Sequence, residues 1–132
     1  MHSREPRKIE AGTLWRLLLA VYWVAMLVGT HMPPRFKAGP EELGDKVLHF
    51  LAFAGFAWLV AMAWQTSTGI LNRRHLRWIW IAVMLYAVLD EVTQPPFDRD
   101  ASVWDLLADA LGTATGLFVF MRTRHWFDKW NS

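Results

Sequence analysis

Residues 90–116 read DEVTQPPFDRDASVWDLLADALGTATG, which places the acids Asp90, Glu91, Asp105 and Asp109 at the facing ends of two strongly apolar runs. Ionisable groups are costly in lipid and, where they occur, face a protein interior or a water-filled cavity; they mark candidate functional positions. The upstream run starts at Trp78 and the downstream run continues to Met121. Any fold must therefore shelter four carboxyls beside the short turn holding Gln94, Pro95, Pro96 and Arg99, while also accommodating two apolar helices. A soluble domain of 132 residues has no core large enough, because 54% of the residues are apolar, with nine Trp and eight Phe, far above ordinary soluble usage. A bilayer removes the difficulty.

Four apolar runs can be traced, at 14–32 (broken by Arg16 and His31), 47–64, 78–89 and 104–121. A crossing needs about 20 residues, so the third run is long enough only if Asp90, Glu91 and Gln94 belong to its helix. Pro95-Pro96 ends that helix, since the residue before a proline is pushed toward extended geometry. The first run follows basic residues as a signal peptide would, but no small-residue cleavage site follows, and Met32-Pro33-Pro34 reads as a helix end. The pattern predicts an all-α integral membrane four-helix bundle, one domain over 1–132, with helices at about 14–32, 47–65, 77–94 and 104–121. No Cys is present, so disulfide and thiolate chemistry are excluded. The formal net charge is only +2 and the basic residues are scattered over loops, which argues against a nucleic-acid partner.

Lys and Arg orient the bundle, because cytoplasmic loops carry the excess. Four lie in the N-terminal segment through Arg16, three at 65–77 and three in the tail, against three at 32–46 and one at 95–103. Both termini are thus expected in the cytoplasm, with the 33–46 and 95–103 loops outside. Arg73, Arg74 and Arg77 read as topology determinants, and Trp126 and Trp130 beside basic residues suit a membrane interface.

This topology brings polar residues of three helices into one layer. His49 lies one turn below Asp45 at about 1.5 Å per residue, Asp90 or Glu91 sits near the outer end of the third helix, and Asp109 lies one turn below Asp105. Asp45 and His49 share a face at i, i+4, as do Asp105 and Asp109. Ala108, Gly112 and Gly116 repeat at four-residue spacing, a small-residue surface for close helix contact. Asp45, Asp90, Glu91, Asp105 and Asp109 face only Lys46 and Arg99 as permanent cations. Such an excess of acid is relieved by a neutral carboxyl or by a bound cation. Arg99 is expected to fold back onto Glu91 or Asp105. Plain structural roles exist as well: Asp45 and Asp105 complement a helix dipole from a first turn, Gly112 and Gly116 are packing residues, and the Trp residues fill core and interface. Asp90, Glu91, Asp109 and Arg99 fit such roles least.

At these residues the chain resembles the VanZ-like family of small bacterial membrane proteins. Its pattern Asp-Lys-x-x-His-Phe is matched by Asp45, Lys46, His49 and Phe50, and its Glu-x-x-Gln by Glu91 and Gln94. The loop Arg is matched by Arg99, the Asp six residues later by Asp105, and the terminal glycines by Gly112 and Gly116. The resemblance spans about 45–116 and departs at Asp109, where many members carry Asn. In this buried position Asp109 is expected to act as a hydrogen-bond donor, much as Asn would. The family is named after a protein linked to teicoplanin resistance, so the resemblance implies a cell-envelope setting, with envelope stress or glycopeptide resistance as its context.

The leading expectation is a multi-pass protein of the bacterial cytoplasmic membrane, in contact with lipid, whose outward polar pocket recognises a lipid-linked anionic envelope molecule. Asp45, Lys46, Asp90, Gln94, Arg99 and Asp105 are the candidate binding residues, Lys46 and Arg99 facing phosphate. His49, Glu91 and Asp109 are the candidate catalytic residues, handling protons. No nucleophile elbow, phosphate loop, cofactor motif or recognised metal motif is present. A proton- or cation-coupled carrier, and a non-catalytic assembly partner held together by the same polar layer, are the competing classes. Against the carrier, the acids cluster at one end rather than at the midplane and no inverted repeat is evident.

Overall fold

The computed structural model describes residues 11–33 and 41–128. Its elements are α1 (Ala11–His31), α2 (Glu41–Thr68), α3 (Arg73–Val92), a short 3-10 turn (Pro95–Phe97) and α4 (Val103–Asp128), with no strand among the described residues. The protein is all-α, as the apolar periodicity predicts. Three stretches, Ala11–His31, Leu43–Thr68 and Val103–Phe127, are long and apolar enough to cross a membrane. In α3, arginines at one end and Asp90 and Glu91 at the other leave an uninterrupted apolar segment shorter than a crossing of about 20 residues.

The helices outrun the apolar windows. α2 begins at Glu41 rather than 47, and α4 continues to Asp128 rather than 121. Helix formation needs propensity and not apolarity, and Leu43, Lys46, Arg122 and Arg124 are good helix formers. Part of the segment expected as a loop at 33–44 is therefore helical. α3 starts at a capping box in which the Asn72 side chain accepts from the His75 N–H, and the His75 side chain accepts from the Asn72 N–H. It ends at Val92, short of the predicted 94. Gln94 keeps right-handed helical dihedrals (φ −73°, ψ −34°), so the helix is not stopped by an extended residue before the proline. It stops because Pro95 has no N–H to continue the ladder; the Gln94 N–H already bonds three residues back, to the Glu91 carbonyl at 3.3 Å.

α2 is the central helix, sharing its largest interface with α4 and the next with α1. Both α2 and α4 begin at the end of the bundle where α3 stops, so they run parallel. A Cβ on Gly112 would strike the Phe50 carbonyl oxygen and one on Gly116 the Ala54 carbonyl oxygen. The two backbones approach that closely because those positions carry no side chain. Phe53, Ala57, Ala61 and Met62 of α2 pack with Ile79, Val83 and Ala87 of α3 and Leu117 and Phe120 of α4. Outward, Leu17, Val21 and Val28 of α1, Leu85 and Leu89 of α3, and Leu107, Leu111 and Phe118 of α4 are exposed. Apolar exteriors on three helices form a surface larger than soluble monomers tolerate, and lipid is the solvent they suit.

Candidate functional site: a buried polar layer at one end of the bundle

The parallel register of α2 and α4 sets up the first polar group. Lys46 Nζ lies 3.6 Å from Asp105 Oδ1, and one turn deeper His49 Nδ1 lies 2.9 Å from Asp109 Oδ1. Glu91, at the end of α3, completes a triple, with its Oε1 3.8 Å from His49 Nδ1. The carboxylate of Glu91 is held from both sides. Its Oε2 accepts from the Ser102 N–H at 2.8 Å and its Oε1 from Gln94 Nε2 at 3.4 Å. Gln94 Oε1 in turn accepts from Arg99 Nε at 3.2 Å. The same guanidinium donates to Asp45 through Nη2 and to the Met32 carbonyl through Nη1 at 3.5 Å. One arginine from the loop thus ties the start of α2 to the ends of α1 and α3.

The second group faces α1. Asp90 Oδ1 accepts from Thr30 Oγ1 at 3.1 Å and from the Tyr86 hydroxyl at 3.4 Å, and lies 3.6 Å from His31 Nδ1. His31 Nε2 meets the Thr93 hydroxyl at 2.9 Å.

Of the residues expected to share one layer, Asp45, Lys46, His49, Glu91, Gln94, Arg99, Asp105 and Asp109 do so. Asp90 does not. Consecutive helix positions point about 100° apart, so with Glu91 turned to His49 its neighbour must face a different helix. Arg99 does fold back, but onto Asp45 and Gln94 rather than Glu91 or Asp105. Asp98, with a left-handed φ of 58°, turns the chain just before Arg99, and such a turn cannot be read from residue spacing. Thr30, His31, Tyr86, Thr93 and Ser102 were not anticipated as partners. Thr30 and His31 lie at the depth that aligns the other three helices, since the C-terminal end of α1 stands at the same level.

The layer is buried and incompletely paired. His49, Gln94 and Asp109 have no exposed surface. His49 Nε2, Asp105 Oδ1 and Asp109 Oδ2 are buried without a hydrogen-bond partner, as are Asp90 Oδ2 in the second group and Thr113 Oγ1 deeper in α4. Two triples, Asp45–His49–Asp105 and His49–Glu91–Asp109, bring one ligand atom from each residue within 4.8 Å of one another. Either has the composition of a cation site, in keeping with the acid excess read from the sequence; which acids join His49 is set by how α3 and α4 rotate against α2.

Membrane-length helices with lipid-compatible exteriors, closed at one end by a buried acid, imidazole and guanidinium layer, define a multi-pass membrane protein with a polar site under its cap. Residues 7–126 match the VanZ/LLP1 family, and the chain belongs to it. No curated protein and no solved structure matches the chain.

Proposed function

We propose that this protein lies in the bacterial cytoplasmic membrane with both termini inside, and that its polar layer faces outward and recognises an anionic, lipid-linked envelope molecule. The gathering of His49, Glu91, Asp105, Asp109 and Arg99, all buried, at one end of a bundle with lipid-compatible exteriors carries this reading, because ionisable groups inside a membrane protein mark functional positions. The uneven distribution of Lys and Arg supports the orientation. Amphiphile chemistry fits the surroundings. Lys46, paired with Asp105, keeps about a third of its side chain exposed (36%), and it is the candidate contact for a phosphate. Beside the layer runs an apolar groove of about 670 Å³, lined by Leu27, Val28, Met32 and Phe97. Met32 belongs to both features, since its carbonyl accepts from Arg99. An acyl or prenyl chain in the groove would bring its headgroup to the Met32 end, next to the Arg99 guanidinium.

Native mass spectrometry of the protein extracted from membranes tests the reading. Wild type should retain a phosphate-bearing lipid, and Lys46→Gln should retain at least about tenfold less, the loss of one charge-assisted contact of about 1.5–3 kcal/mol. Equal retention by both, with only neutral lipids carried, would remove the recognition role.

A further inference from the structure

We infer that His49, Glu91 and Asp109 bind one divalent transition-metal ion of the Zn²⁺ or Mn²⁺ class. This goes beyond recognition of an envelope molecule and stands or falls separately from it.

Charge leads to the site. In the layer, Arg99 is paired with Asp45 and Lys46 with Asp105. Among the described residues no Lys or Arg is paired with Glu91 or Asp109, whose only basic neighbour is His49. With the imidazole neutral and both carboxyls ionised, the cluster holds two negative charges in a buried position. A protonated imidazole offsets one of them, and a divalent ion offsets both.

Geometry agrees. The three side chains come from three different helices and are at most 6% exposed. Ligand atoms about 2.0–2.1 Å from a tetrahedral ion stand roughly 3.3 Å apart. His49 Nδ1 to Asp109 Oδ1 at 2.9 Å and to Glu91 Oε1 at 3.8 Å bracket that spacing. A hydrogen bond alone accounts for the first distance but not for the second. Metal-binding carboxylates are normally oriented by further hydrogen bonds, and Glu91 has that support from the Ser102 N–H and from Gln94, itself fixed by Arg99.

The unpartnered atoms provide an independent pointer. Asp109 Oδ2 has no partner and no exposure, and the Thr113 hydroxyl, one turn further on the same face of α4, also has neither. Asp109 Oδ2 is a carboxylate oxygen already held by a residue of the triple, free to add to a shell of imidazole and carboxylate ligands. The Asp45–His49–Asp105 triple shares His49, but Arg99 and Lys46 already occupy its carboxylates, so the ion belongs with Glu91 and Asp109.

The test uses the full chain without an affinity tag, in detergent, stripped with chelator and titrated calorimetrically with ZnCl₂. Wild type should bind one ion per chain and unfold at a higher temperature when loaded. Glu91→Gln and Asp109→Asn, which keep shape and hydrogen bonding, should each weaken binding by about 100-fold or more. His125→Gln, at the far end of the bundle, should change nothing. X-ray absorption of the zinc-loaded wild type should show one imidazole with oxygen ligands, a result that does not depend on the variants folding. Absence of saturable binding by wild type, undiminished binding by folded Asp109→Asn, or a shell without exactly one imidazole would each overturn the site.

Discussion

Arg99 shows what a single residue contributes to this bundle. Its guanidinium meets Asp45, Gln94 and the Met32 carbonyl at once, with a side chain only 5% exposed. Removing one partner from a buried ionic contact typically costs about 3–5 kcal/mol. Arg99→Ala should therefore lower the unfolding temperature in detergent strongly. Arg99→Lys, which keeps the charge but loses the planar fork, should lose less. Equal and negligible losses would mean that the contacts carry no stability. Asp109 makes a second case. Asp109→Asn can still pair with His49 Nδ1, whereas Asp109→Leu leaves the imidazole without its partner at about 1–3 kcal/mol. Thermal unfolding should rank wild type and Asn close together with Leu well below; Leu matching Asn would show the pair to be dispensable. At this scale the sequence was partly legible. Spacing along a helix put His49 and Asp109 at one depth, because i, i+4 geometry is regular. It could not choose between Asp90 and Glu91, nor aim Arg99, because those outcomes depend on helix rotation and on a left-handed turn at Asp98.

Among the elements, α2 and α4 decide the architecture. Their parallel contact, with Gly112 against Phe50 and Gly116 against Ala54, holds Lys46 opposite Asp105 and His49 opposite Asp109. Gly112→Ala or Gly116→Ala would drive a methyl into the backbone of α2, and overpacking of this kind costs about 1–3 kcal/mol. Gly29→Ala is the control, since a Cβ there meets nothing within 4 Å. In the interior of α1 it should be neutral or stabilise by about 0.5–1 kcal/mol. Unfolding temperatures of the three variants check the contrast, and a Gly112→Ala protein as stable as wild type would contradict the close approach. The four helices and the small-residue stripe were readable from apolar runs and four-residue spacing. Helix ends were not, because polar helix formers prolong α2 and α4 beyond what lipid requires, and the missing N–H of Pro95 stops α3 early.

For the whole molecule, the decisive relation is between the bundle and the two faces of the membrane. Alternating helices place α2 and α4 starts, the α3 end and the 95–102 turn together, with the 69–72 turn at the opposite end. In the orientation proposed from the loop charges, the first end faces outside and the second the cytoplasm. With no native Cys, single cysteines report this directly. Ala101→Cys and Ser67→Cys lie at exposed positions at opposite ends. In intact cells an impermeant thiol reagent should label Ala101→Cys and leave Ser67→Cys untouched until the membrane is opened. Labelling of Ser67→Cys alone would put the polar layer in the cytoplasm, and labelling of both would contradict the membrane arrangement itself.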